Sequence, residues 1–206
     1  MNIIQIEMGG FLKNYSYLAL CEDSGKAILI DPGTASATPR KYYRKILDRI
    51  RSGNLEILYI VNTHNHFDHV RGNRYFLRKT GAEVRSYITG LREGDKIRFG
   101  SEELTVLETP GHSADSISLY GDRNLFTGDT LFVGDSGATI SKDSDRPALG
   151  ASLRKLIEVC PPETVVLPGH NLGKTPTTTL LREQRENVNA DEYRLGSVTY
   201  KGSLIS

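Results

Sequence analysis

Thr63-His64-Asn65-His66-Phe67-Asp68-His69 carries three of the chain's five histidines. The other two stand in Pro110-Gly111-His112 and Pro168-Gly169-His170, and Gly128-Asp129-Thr130 adds a carboxylate in a similar setting. A lone histidine in a loop is usually a packing or surface residue. Here none is left over outside these clusters. Five imidazoles and two carboxylates meet the needs of two adjacent divalent ions: three nitrogens on one, two nitrogens and a carboxylate on the other, one carboxylate bridging. The candidate ligands are His64, His66, Asp68, His69, His112, Asp129 and His170. Imidazole and carboxylate suit Zn²⁺, Fe²⁺ and Mn²⁺, and no cysteine is in the set.

Outward from this motif, each cluster falls where a strand is expected to end. Leu55 to Val61 is a short apolar run consistent with a buried strand that delivers His64. Strands near 104–108, 124–127 and 164–167 lead into His112, Asp129 and His170. Loops at one rim of a rigid sheet can bring distant side chains together. His64 and His66, two apart in an extended segment, can turn toward one ion; Asp68 and His69 follow a bend and can reach a second ion about 3.5–4 Å away.

Earlier in the chain, 3–6, 15–21 and 27–30 read as strands, with Tyr15, Tyr17, Ala19 and Cys21 alternating onto one face. A helix over 39–52 places Tyr42, Tyr43, Ile46, Leu47 and Ile50 at helical spacing, with Gly53 as a stop. Residues 73–80 read as helix and 84–88 as strand. Strands follow near 96–99 and 116–120, then a polar loop from Gly134 to Arg146. Leu149, Leu153, Leu156, Ile157 and Cys160 mark a helix started by Asp145 and Pro147. A last helix is expected over 177–188. Two halves of this order, face to face, give an α+β architecture: two mixed sheets packed together, with helices on both outer faces.

The chain has 206 residues, 38% hydrophobic and 25% charged, with a formal net charge of +1. That length suits a single domain, 1–206. The charge balance gives no global pull toward nucleic acid or anionic lipid. No apolar run approaches the roughly 18–20 residues needed to span a bilayer, and Met1–Glu7 lacks the form of a signal peptide. The two cysteines read as reduced packing residues of a cytoplasmic protein. Arg40, Lys41, Arg44, Lys45, Arg49 and Arg51 on the 39–52 helix read as a solvated face, not a nucleic-acid surface. The expected partner is a small-molecule substrate, with neither nucleic acid nor membrane; a homodimer is compatible with the sequence.

His64-Asn65-His66-Phe67-Asp68-His69, followed by His112, Asp129 and His170, resembles the signature of the metallo-β-lactamase superfamily. The resemblance runs from Asp31-Pro32-Gly33 through Pro168-Gly169-His170 and implies an αββα sandwich. It implies that His64, His66 and His112 hold one metal, that Asp68, His69 and His170 hold the other, and that Asp129 bridges. Phe126-Thr127-Gly128-Asp129-Thr130-Leu131-Phe132 and Thr109-Pro110-Gly111-His112-Ser113 are similar to glyoxalase II-like thioesterases. An intact bridging aspartate also sets the chain apart from the antibiotic-degrading lactamases. The implied cofactors are two divalent ions, zinc first, with iron or manganese as alternatives. The implied reaction is cleavage of a small thioester or ester by a metal-bridging hydroxide, with Asp68 holding its metal and orienting the nucleophile.

Ser113 reads as a hydrogen-bonder near the ligands rather than a nucleophile. Asp31 reads equally well as a turn former or as a residue that orients a ligand. Phe11 and Leu12 either wall the cleft or pack a hairpin. In the glyoxalase II branch a basic residue that grips glutathione follows the bridging aspartate. The matching position here is Ala138, and the glyoxalase II C-terminal helical domain has no counterpart in the chain. Lys142 and Arg146 lie in the same loop and read as solvated charges. The alternative activity is a mononuclear iron oxygenase of the persulfide dioxygenase type, using His64, His66 or His112 with Asp129. A binding module without catalysis is the third reading, and the complete ligand set argues against it.

Overall fold

The computed structural model describes residues 1–202, so the last four positions of the expected 1–206 domain lie outside the described residues. Strand β2 (Asn14–Leu20) shows how the layers arise. All seven of its residues are buried. Tyr15, Tyr17 and Ala19 enter a cluster with Phe99, Val106, Leu119 and Phe126 from a second sheet. Leu18 and Leu20, on the opposite face, pack with Tyr43, Ile46 and Phe76 from helices. A strand buried on both faces sits between another sheet and a helical layer.

The first sheet runs β1 (Asn2–Gly9), β2, β3 (Lys26–Ile30), β4 (Glu56–Val61) and β5 (Glu83–Arg85), in that spatial order. The second runs β11 (Thr178–Thr179), β10 (Val165–Pro168), β9 (Asn124–Gly128), β8 (Ile117–Gly121), β7 (Glu102–Glu108) and β6 (Lys96–Phe99). Both mix parallel and antiparallel pairs. Helices α1 (Pro39–Ser52) and α3 (Asn73–Thr80) cover the first sheet; α4 (Arg146–Val159) and α5 (Leu180–Glu186) cover the second. The result is the expected αββα sandwich. Fully burying a side chain such as Phe126 or Ile28 contributes roughly 1.5–3 kcal/mol. Tyr17 also donates its hydroxyl to the Pro168 carbonyl at 2.6 Å, stitching the sheets together beside the last histidine loop.

Helix α1 begins at Pro39, where the missing N–H costs nothing. The left-handed residue after it is Asn54, at φ 48°, rather than Gly53. Helix α4 begins as expected: the Asp145 carboxylate accepts from Ala148 N at 2.9 Å. Its own N–H donates to Gly111 O at 2.8 Å, tying the helix start to the loop of His112. Gly111 sits at φ 140°, and a Cβ there would meet Leu149 N at 2.2 Å. Only glycine lets this loop and helix approach so closely.

Three expectations need correction. The strand at 84–88 ends at Arg85, because the Ser86 and Thr89 side chains close a turn. The helix at 177–188 starts at Leu180: Thr178 and Thr179 pair with β10, and Thr179 caps the helix. One helical turn inside the histidine motif, α2 (Phe67–Val70), is too short to leave a periodic signal. Both cysteines are free and buried, and no helix among the described residues is long and apolar enough to cross a membrane.

Candidate metal centre

Strand register explains how the site comes together. Parallel β3 and β4 pair Ile30 with Val61, so the chain leaves both strands side by side at Asp31 and Asn62-Thr63. Parallel β9 and β10 pair Gly128 with Pro168, which sets Asp129 beside Gly169-His170. The two halves are then laced across the sandwich. Ile117 N donates to Thr63 O at 2.8 Å, Tyr15 N donates to Gly169 O at 2.8 Å, and Asn171 N donates to Lys13 O at 2.9 Å.

All seven expected ligand side chains converge. Donor atoms of His64, His66 and His112 lie within 4.8 Å of one another; so do those of Asp68, His69 and His170, and those of His64, His69 and Asp129. Asp129 stands between the first two groups: its carboxylate is 3.5 Å from His112 Nε2, 3.3 Å from His69 Nε2 and 3.0 Å from His170 Nε2. Gly169 makes room for it, since a Cβ there would meet Asp129 Oδ1 at 2.3 Å.

The hydrogen bonds behind the rings set their tautomers. His112 donates Nδ1–H to the Ala138 carbonyl at 2.8 Å, and His170 donates Nδ1–H to the Leu12 carbonyl at 2.7 Å. His69 donates Nδ1–H to Asp31 Oδ2 at 2.9 Å. The Thr63 hydroxyl donates to Asp31 at 2.6 Å and so accepts from His64 Nδ1 at 3.2 Å. In these neutral tautomers four Nε2 atoms turn bare lone pairs inward. His69 and His170 face each other Nε2 to Nε2 at 3.2 Å, and His66 Nδ1 is 3.0 Å from the Nε2 of both His64 and His112. Asp129 Oδ1 is buried with no hydrogen-bond partner. Buried acceptors aimed at one another are costly unless cations sit among them. The donor set therefore fits divalent metal.

The charges follow the same logic. Burial works to raise the Asp129 carboxyl, but His69 and His170 outweigh it and hold it well below the usual range. Burial works to lower His69 and His170, yet Asp129 raises both, with Asp31 adding to the effect at His69. His64 and His112 are lowered, mainly by burial.

Asp31 resolves into a residue that does both expected jobs. It takes the left-handed conformation at φ 48° and accepts from Thr63 N, Thr63 Oγ1 and His69 Nδ1. A non-glycine residue held there carries backbone strain of the kind found at functional sites. Ser113 departs from expectation: its hydroxyl bonds Asp115 and Ser116 and closes a turn instead of touching a ligand. Sequence reasoning missed Asn14, whose buried amide donates to Asp68 Oδ2 at 2.8 Å. It also missed the carbonyls of Leu12 and Ala138, which no side-chain pattern could reveal.

Residues 9–90 and 82–170 match the metallo-β-lactamase superfamily. The chain belongs to that superfamily. Hydroxyacylglutathione hydrolase from a Polaromonas species is 31% identical over 213 residues, spanning 97% of this chain and 77% of that protein. Among solved structures, ETHE1 from Myxococcus xanthus superposes with a TM-score of 0.84 at 29% identity, covering 95% of this chain and 88% of that one. TTHA1623 in a di-iron-bound form gives 0.74 at 30% identity, over 90% of this chain and 98% of that one. As a metallo-β-lactamase superfamily member with such relatives, the protein is a metal-dependent hydrolase, and membership implies a dinuclear site built from the His/Asp cluster.

Proposed function

We propose that the protein cleaves a small thioester, with His64, His66 and His112 holding one divalent ion, Asp68, His69 and His170 the other, and Asp129 between them. The observation that carries this reading is the ring of inward lone pairs around an unpartnered Asp129 oxygen. Two ions bound there would supply water with its pKa pulled from about 16 toward about 7, together with polarisation of the scissile carbonyl.

The protein's own residues do the positioning. Asp31 and the carbonyls of Leu12 and Ala138 fix His69, His170 and His112 in the tautomer that leaves Nε2 free. Asn14 fixes Asp68, the carboxylate assigned to orient the attacking water. His66 is the most exposed of the seven and marks the side from which substrate arrives. The thioester class is supported by the relatives' activity as hydroxyacylglutathione hydrolases. Imidazole and carboxylate without thiolate favour zinc, with iron or manganese next.

Elemental analysis of protein purified without added metal or chelator, paired with a thiol-release assay, tests the proposal. Two metal equivalents and chelator-sensitive thiol release are expected; release that survives complete metal removal would sink it. His64, His69 and Asp129 also form a two-histidine, one-carboxylate set of the kind that holds a single iron. One equivalent of iron, with oxygen uptake on a persulfide and no thioester cleavage, would favour that oxygenase reading instead.

A further inference from the structure

A cavity of about 450 Å³ adjoins the cluster, lined by Phe132, Asp135, Ala138, Ile140, Arg146 and Leu172 among others. Its wall touches the ligands themselves: the Phe132 ring lies 5.8 Å from that of His170, and Ala138 holds His112 through its carbonyl. That volume falls within the roughly 300–1,000 Å³ of small-molecule sites.

Two observations bear on what it admits. The first is charge. Arg146 is the one cation in the cavity wall, and both of its fork nitrogens are taken by the two carboxylate oxygens of Glu192. Glu192 therefore already neutralises Arg146, and a ligand carboxylate reaching the free Nη1 would meet a compensated cation beside a second carboxylate, with little net gain. Asp135, on the same wall, adds a negative charge, and Lys142 stands outside the wall.

The second is the mouth. Phe11, Phe67, Ile140 and Leu172 are large apolar side chains left 77%, 57%, 93% and 57% exposed. Each is within two residues of a ligand or of a carbonyl that anchors one: Phe11 precedes Leu12, Phe67 lies between His66 and Asp68, Ile140 follows Ala138 by two, and Leu172 follows His170 by two. Isolated exposed apolar residues are ordinary, but Ile140 and Leu172 both line the cavity beside Phe132 and give it an apolar edge.

We propose that this cavity takes the thiol half of an uncharged thioester, and selects against glutathione and other carboxylate-bearing thiols. The inference rests on the thioesterase reading and narrows its substrate. Two matched pairs test it on the metal-replete protein. The non-hydrolysable S-hexyl thioethers of N-acetylcysteamine and glutathione report binding by calorimetry, and the S-lactoyl thioesters of the same two thiols report hydrolysis. The uncharged thioether is expected to bind at least about tenfold more tightly, and kcat/KM to follow the same order. Glu192→Ala frees Arg146 at an exposed pair, and is expected to narrow that preference about two- to fivefold by improving the glutathione partner. Equal or tighter binding of the glutathione thioether overturns the inference, as does a Glu192→Ala ratio that does not move. Binding preference without hydrolysis of either thioester overturns the thioesterase reading instead, so the two failures are distinct.

Discussion

Asp68, His69 and His170 are buried and held by side chains or carbonyls from three other places in the chain: Asn14, Asp31 and Leu12. His66, on the other side of Asp129, is partly exposed, and His112 is held by one carbonyl in a loop whose side chains face solvent. One triad lies wholly in the protein interior; the other buries His64 as deeply but brings His66 to the surface of the cleft. A site that must both retain an ion and admit a substrate can divide those tasks between its two halves. Four measurements would break or sharpen that division.

The largest effect is expected where both halves depend on one residue. Asp129→Asn removes the carboxylate shared by the two triads, so metal content should fall below two equivalents. The loss of kcat/KM in the thioester assay should reach at least the roughly 10²–10³-fold typical of losing one preorganised electrostatic element. Wild-type metal content and rate in this variant would show that the triads do not share Asp129.

Asp31→Ala frees His69 Nδ1 and leaves the Thr63 N–H without its acceptor. Metal affinity at the buried triad, which loses the direct partner of His69, should drop by about 10- to 100-fold, while the other triad, reached only through the Thr63 hydroxyl behind His64, should weaken less. Sequential titration with a chromophoric chelator separates the two. Equal weakening of both would mean that Asp31 serves the fold as a whole.

Asn14→Ala should act in the same direction but at the lower end, about tenfold, because Asp68 can still bind an ion without its amide partner. A kcat loss with metal content retained would place Asn14 in the orientation of Asp68.

The smallest effect is in proton release. Asp129 raises His69 and His170, so these rings keep a second proton to higher pH than a free imidazole does, and an ion arriving below that pH must displace it. His64 and His112 are lowered, so they give up that proton at lower pH. Affinity at the buried site should therefore fall as pH drops, while the open site changes less until the pH is lower still. Calorimetry in buffers of different ionisation enthalpy counts the protons for each ion; identical counts would contradict the contrast.

The convergence of these side chains was legible in the sequence because histidine is scarce and all five residues gather at strand ends. The sandwich was legible because β2 alternates two sets of apolar side chains and α1 and α4 carry long apolar stripes. What supports the ligands was harder to read. Asn14 lies 54 residues from Asp68 at the start of β2, where the strand pattern says nothing of its partner, and the Leu12 and Ala138 carbonyls belong to the backbone whatever the side chain. The ends of α5 and β5 were missed because single Thr and Ser hydroxyls, at Thr179 and Ser86, overrode the local apolar pattern.

His170 gives its Nδ1 proton to Leu12, 158 positions earlier in the chain, and the neighbouring backbone bonds fasten the same two segments. A partly folded chain could present His64 and His66 together, since they are neighbours in sequence. The buried socket is absent until the two distant parts of the polypeptide have met, and such long-range closures are slow steps in folding. Tight binding of an ion by Asp68, His69 and His170 would thus be a clock for folding: once it is held, the long way round the molecule has been closed.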